Sequence, residues 1–157
     1  MAIVKEIAMK TITQSERLFL RTITLRDANH LLKLFSDPVA MAYFPSVLDL
    51  AGTMKWIKIV RKHYQDNGIG FYICQKKDTS EVIGYCGLLL QKNVGGKDEI
   101  EIGYGLIRSY WHQGFAAEAA KSCMEYGHER LGINRFISLI RPQNSASIKV
   151  AVRNGMK

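Results

Sequence analysis

Glu99-Ile-Glu-Ile-Gly-Tyr-Gly-Leu106, then Ile107-Arg-Ser-Tyr-Trp-His-Gln-Gly-Phe-Ala-Ala117, then an apolar stripe at Ala116, Ala119, Ala120, Cys123, Met124, Gly127 and Leu131, reads as a strand, a glycine turn and a long helix. The strand alternates, with Glu99, Glu101, Gly103 and Gly105 on an open face and Ile100, Ile102, Tyr104 and Leu106 on an apolar one. Glycine weakens a strand interior, so Gly103 and Gly105 predict either a bulge or a place where a ligand lies against the backbone. At the helix entry stand His112, Gln113 and Gly114, where Ser, Thr, Asp or Asn would normally cap the free N–H groups. Uncapped donors at the positive end of a helix dipole favour a phosphate, and Gly114 lets the backbone approach it. An ordinary glycine loop with water at the helix end would leave the same short motif.

Outward from this stretch, 157 residues with 47% hydrophobic content make one domain with a sizeable core. The net charge of +8 implies attraction to anions: a nucleic acid, an acidic surface or a phosphorylated cofactor. The cations are scattered and form no basic run or basic-aromatic stripe, which disfavours a nucleic-acid partner. Cys74, Cys86 and Cys123 are odd in number, have no C-x-x-C spacing and lie in apolar patterns, so they read as core thiols in a reducing compartment. His30, His63, His112 and His128 have no metal-ligand spacing, and no metal is expected. Without a signal peptide or long apolar span, the expected location is the cytoplasm, with no membrane partner.

In chain order, residues 1–14 are a lead-in, either disordered or an added strand, and residues 15–157 form the domain. Residues 16–23 predict a first strand, and Thr24-Leu-Arg-Asp27 has the form of a capping box before a helix carrying Ala28, Leu31, Leu32 and Phe35. Asp37-Pro38 ends that helix and leads to the aromatic loop Tyr43-Phe-Pro-Ser46. A second helix over residues 51–65 buries Trp56, Ile57, Val60 and Tyr64. Strands at 71–76 and 81–91 and a hairpin through Asn93-Val-Gly-Gly-Lys-Asp98 then form a meander into the opening stretch. After the long helix, Arg135-Phe-Ile-Ser-Leu-Ile140 predicts a strand buried on both faces, parallel to its predecessor by a right-handed crossover. Asn144 caps a last helix that ends near Gly155.

Three blocks carry a family resemblance: Glu101-Ile-Gly-Tyr, Tyr110-Trp-His-Gln-Gly-Phe-Ala-Ala-Glu-Ala119, and Asn144-Ser-Ala-Ser147 through Asn154-Gly155. Their order and spacing resemble the GNAT acetyltransferase superfamily, most closely its RimJ/RimL-type branch of ribosomal-protein N-terminal acetyltransferases. The resemblance implies an α/β fold with a central, mostly antiparallel sheet, a parallel splayed pair and helices on both faces. Two further strands usually follow the segment matching Asn154-Gly155-Met156, so the sequence is expected to be truncated after Lys157.

The resemblance also implies transfer of an acetyl group from acetyl-CoA to a primary amine by direct attack, with the acceptor a protein N-terminus or a small amine such as a polyamine or amino sugar. Glu101 matches the family's acid and is the candidate base; Glu99 is the weaker alternative, and a carboxylate that is solvated or paired with Arg108 or Lys97 is the competing reading. Backbone N–H groups near Gly105 and Leu106 are the expected oxyanion donors, Ile107 beside them is an expected cofactor contact, and His112, Gln113, Gly114, Phe115, Ala116 and Ala117 are the expected pyrophosphate cradle. In the family's usual phosphate motif an Arg or Gln stands where this chain has Trp111. The family's usual acid, a tyrosine, is replaced by Ala151, and the branch has a serine at Ser147. Ser147 is thus expected to meet the thiol or pantetheine arm and Asn144 an amide of that arm, unless both merely cap the helix. By the same likeness Tyr43, Phe44 and Trp56 line the acceptor pocket or pack in the core. A non-catalytic CoA-binding module is the alternative class, and a homodimer is left open.

Overall fold

The computed structural model describes residues 8–157; the first seven residues of the expected lead-in lie outside the described residues. Five strands, β1 Thr11–Gln14, β2 Leu18–Thr22, β3 Phe71–Lys76, β4 Val82–Val94 and β5 Lys97–Leu106, form one antiparallel sheet in that order. Four helices cover it: α1 Ala28–Phe35, α2 Leu50–Asn67, α3 Phe115–Leu131 and α4 Ser145–Arg153. Ile73, Val82 and Tyr85 pack with Leu31, Phe35, Ile57 and Val60 of α1 and α2. On the other face Tyr72, Cys74, Cys86, Leu88 and Ile102 meet Phe115, Ala119, Ala120 and Cys123 of α3. All three cysteines are free and buried there, and burial pushes the Cys74 and Cys86 thiols up, as expected of core residues.

The local signals behave as their chemistry requires. The Asp27 carboxylate accepts a hydrogen bond from the Thr24 N–H at 2.8 Å and opens α1 through a 3-10 turn, Leu25–Asp27. It also receives both terminal nitrogens of Arg21, at 3.0 and 2.8 Å, so this buried ion pair ties β2 to the helix start. Asp49 caps α2 by accepting from the Gly52 N–H at 2.7 Å, and Gly68 ends it in the left-handed conformation. Of the two readings left open for the lead-in, residues 11–14 are strand. The Ser122 hydroxyl of α3 reaches back to the Gln14 carbonyl at 3.1 Å, so α3 buries a wider face than its apolar stripe alone.

The expected bulge is on β4, not at Gly103 or Gly105. Cys74 pairs with Gly84 and Gln75 with Val82, leaving Ile83 as an extra residue, whereas β5 keeps unbroken register from Glu99 to Leu106. The two β5 glycines instead make room for aromatic rings. A Cβ on Gly103 would come within 2.8 Å of the Phe71 ring, and one on Gly105 within 2.7 Å of the Tyr85 ring. Trp56 stacks on Phe71 at 5.7 Å and contacts Tyr85 at 5.0 Å, so it packs half-buried against the core.

The strand expected at residues 135–140 does not form. Ile137 makes one parallel bridge with Glu101, through Ile102 N–H to the Ile137 carbonyl at 2.8 Å and Ile137 N–H to the Ile100 carbonyl at 2.9 Å. There the Ser138 hydroxyl turns to the Ile102 carbonyl at 2.9 Å, and the chain splays from β5. Nor is the segment buried on both faces: Leu139 is 55% exposed, and grooves of about 850 and 700 Å³ flank this stretch.

Candidate active site

The splay leaves a gap beside the end of β5, and strand geometry decides which groups face it. Backbone groups alternate in direction along an antiparallel strand. Ile107 N–H bonds the Ile83 carbonyl at 2.8 Å while Ile102 N–H bonds Ile137, so Gly103 and Gly105 turn toward β4, and Tyr104 and Leu106 turn toward the gap. Of the two expected oxyanion donors, Leu106 therefore presents its N–H to the gap and Gly105 does not. The Leu106 carbonyl is taken by the Trp111 indole N–H at 2.9 Å. That bond accounts for Trp111 in the phosphate motif: the indole folds the 3-10 turn Arg108–Tyr110 back onto β5 and sets where α3 begins.

α3 starts at Gly114, in the left-handed conformation at φ 80°, with no side-chain cap. His112 is also left-handed, at φ 61°. Among the described residues, the N–H groups of Phe115, Ala116 and Ala117 have no protein acceptor, and they point along the positive end of a 17-residue helix. Arg17 lies behind this turn, donating to the Gln113 carbonyl at 3.0 Å and covering the Phe115 ring at 4.0 Å.

Glu118, in the first turn of α3, fixes that arrangement by accepting from the Ser15 hydroxyl at 2.7 Å, the Arg17 N–H at 2.8 Å and Arg17 Nε at 2.7 Å. Burial works against its ionisation, but those hydrogen bonds and the guanidinium charge outweigh it and hold the carboxyl below its ordinary value. A depressed folded-state pKa means stability that is fully present above the unfolded pKa of about 4.3 and is lost as pH falls through the folded value. Glu118→Gln is expected to lower stability at neutral pH by about 1–3 kcal/mol, with the deficit closing in acid, as read by denaturation at a series of pH values.

Glu101 sits at the foot of the gap. Its carboxylate accepts from Gln91 Nε2 at 2.6 Å and from the Leu139 N–H at 3.4 Å, so neither Arg108 nor Lys97 is its partner. Arg108 pairs instead with Asp37 at 3.0 Å. Glu99, the alternative base, is held by Arg135 at 3.0 Å. At the far side of the gap, Asn144 Oδ1 caps α4 by accepting from the Ser147 N–H at 3.2 Å. Ala151 is buried against the neighbouring elements and brings no phenol. A phenol does reach the first turn of α4, but from β5: Tyr104 donates to the Ser147 carbonyl at 2.8 Å, and burial pushes its pKa up to about 12 against the opposing effect of that bond. Its place on the apolar face of the opening strand hid it, since alternation marks Tyr104 as core and says nothing of what its hydroxyl reaches.

The end of β5 is thus tied to the start of α3 through Trp111 and Leu106 and to the start of α4 through Tyr104 and Ser147, while the Ile107 N–H is taken by the Ile83 carbonyl. Comparison with known proteins accords with this arrangement. The family model described as Acetyltransferase (GNAT) domain matches residues 17–157. The N-acetyltransferase p20 of Bacillus licheniformis, itself uncharacterized, is 35% identical over 87% of this chain and 76% of its own length. The crystal structure of an acetyltransferase from Agrobacterium tumefaciens superposes with a TM-score of 0.79 at 26% identity, covering 99% of this chain and 86% of that one. The same fold, at 21% identity and a TM-score of 0.73 over 94% of this chain and 83% of the other, is found in a Salmonella typhimurium acetyltransferase that modifies the N-terminal serine of the 50S ribosomal subunit protein L7/L12. The chain belongs to the GNAT acetyltransferase family. It is an acetyltransferase whose fold is shared with the ribosomal-protein N-terminal enzymes that its sequence resembles.

Proposed function

We propose that the protein transfers an acetyl group from acetyl-CoA to the primary amine at a protein or peptide N-terminus. The observation that carries this reading is the uncapped, glycine-led start of α3, which the Trp111 indole ties to the Leu106 carbonyl at the end of β5. The turn from His112 to Ala117 would hold the pyrophosphate, with Gly114 keeping the backbone accessible. The pantetheine arm then runs into the gap, against Asn144 and Ser147. The Leu106 N–H stabilises the negative charge that gathers on the thioester oxygen as the amine attacks.

Glu101 receives a proton from the acceptor, directly or through water. An ammonium group has no lone pair, and on becoming an amide N–H it sheds two protons. One passes through Glu101 to solvent; the other ends on the sulfur released as the C–S bond breaks. The Ser147 hydroxyl is the proposed donor to that sulfur, Ala151 having none. The Salmonella typhimurium enzyme named above acts on an N-terminal serine, which supports the same class of acceptor.

The test of the cofactor assignment is thermal denaturation with acetyl-CoA. At 100 times its Kd a ligand of the folded state stabilises by about 2.7 kcal/mol, an upward shift in Tm of several degrees. A Tm that acetyl-CoA leaves unmoved would refute the assignment.

A further inference from the structure

Packing holds α4 loosely. Of its nine residues Ala151 alone is buried, while Ile148 and Val152 are 38% and 62% exposed. The position of the helix therefore depends on polar ties at its two ends. Just past its last residue, Asn154 Nδ2 donates to the Ala117 carbonyl of α3 at 3.2 Å. In its first turn, the Ser147 carbonyl accepts from the Tyr104 hydroxyl at 2.8 Å, and among the described residues this is the hydrogen bond that joins β5 to α4.

The Ser147 carbonyl does not need that bond. Ser147 is the third residue of α4, so its carbonyl belongs to the helix ladder and not to the last four, which end without a partner. The donor, in contrast, is firmly held: Tyr104 pairs with Cys86 across β4, and its ring packs on the core beneath α3. Burial keeps the phenol protonated, so it is a standing donor. On the acceptor side, Asn144 Oδ1 takes the Ser147 N–H at 3.2 Å. Ser147 is thus pinned through both of its backbone groups, while its hydroxyl has no protein partner among the described residues. A residue held in this way has its side chain spare for a ligand.

Two neighbouring atoms of one thioester call for groups from two elements: the oxygen for the Leu106 N–H of β5, the sulfur for the Ser147 hydroxyl of α4. Tyr104 stands two residues before Leu106, about 7 Å back along the same strand. Resting on the function proposed above, we infer that Tyr104 is a positioning residue, whose hydroxyl ties α4 to β5 and so keeps the Ser147 hydroxyl in register with the Leu106 N–H. Ser147 then donates a hydrogen bond to the sulfur as that atom takes the electron pair of the breaking C–S bond. Tyr104 acts through Ser147 and not on the thioester itself.

Tyr104→Phe keeps the ring in the core and removes the tether alone. The experiment follows release of free thiol from acetyl-CoA, with a peptide that begins with serine and with water as acceptors, in the wild type, Tyr104→Phe, Ser147→Ala and the double variant. Rates are taken per acetyl-CoA-binding site, so that a loss of folded protein does not count as a loss of rate. Tyr104→Phe is expected to lower kcat by about 10- to 100-fold, the cost of a misplaced group, while the KM for acetyl-CoA stays within about twofold. Coupling is the second expected result: once Ser147 is alanine, removing the Tyr104 hydroxyl costs less than about twofold more. A prop of the fold would lower the Tm and leave kcat alone. Wild-type kcat in Tyr104→Phe, a loss that multiplies with that of Ser147→Ala, or a Tyr104→Phe chain that no longer folds would each overturn the inference and leave the acetyltransferase reading intact. Ser147→Ala at the wild-type rate would remove Ser147 from the chemistry and the inference with it. A chain that fails to bind acetyl-CoA would overturn both the inference and the function on which it rests.

Discussion

Glu101→Gln is expected to retain the fold and the affinity for acetyl-CoA while kcat/KM falls by about 10²- to 10⁴-fold at neutral pH, the usual worth of a positioned general base. Glutamine keeps the shape of the side chain; its one oxygen can accept from the Leu139 N–H while its NH2 donates to the oxygen of a flipped Gln91 amide, so a purely structural role would cost little. What it loses is the capacity to take a proton. The deficit should therefore depend on pH, being widest where the acceptor is an ammonium ion and narrowing as pH rises through the acceptor's own pKa, about 8 for an α-amino group. Parallel pH profiles of the two proteins measure it. A variant as fast as wild type at pH 6.5 would remove Glu101 from the chemistry, and a deficit constant across pH would reassign it to positioning.

The largest effect on stability is expected at Gly84. Its φ of 153° lies in a region that L-residues rarely adopt, and a Cβ there would stand 2.1 Å from the Gly105 carbonyl oxygen and 2.8 Å from the Leu106 Cα. Both are backbone atoms of the strand that borders the gap, so no side chain can swing aside. Strain and overpacking each cost about 1–3 kcal/mol, so Gly84→Ala should lose about 3–5 kcal/mol, which lowers the Tm by about 10 °C or more for a domain of this size. Because the clash pushes β4 from β5 next to Leu106, acetyl-CoA binding should weaken in the molecules that remain folded. Denaturant unfolding and ligand-shifted melting measure the two effects. An alanine variant of wild-type stability would mean that β5 yields freely at this point, and the rigid placement of the Leu106 N–H would then be wrong.

Legibility differed between elements for physical reasons. β3 is found where its apolar run places it, and the capping-box Asp27 and the N-cap Asn144 act within a few residues of themselves. The uncapped start of α3 was equally plain, because a missing cap is a local fact about His112, Gln113 and Gly114. Residues 135–140 were misread as a buried strand because apolar composition does not reveal where pairing stops. A bulge does not form at Gly103 or Gly105, and the rings that need their space, Phe71 and Tyr85, come from other strands.

The sequence by itself determined the order of β2 to β5 and of the four helices, the two apolar faces, the glycine turn into α3 and, through its three blocks, the family. These follow from side-chain periodicity and backbone preference, which act over a few residues. Only the tertiary structure decided which groups meet at the gap. Arg17 reaches Glu118 across 101 positions, Tyr43 reaches Gln143 across 100 and Tyr104 reaches Ser147 across 43. Such pairings are set by the way the sheet and helices pack, and no local pattern in the chain encodes them.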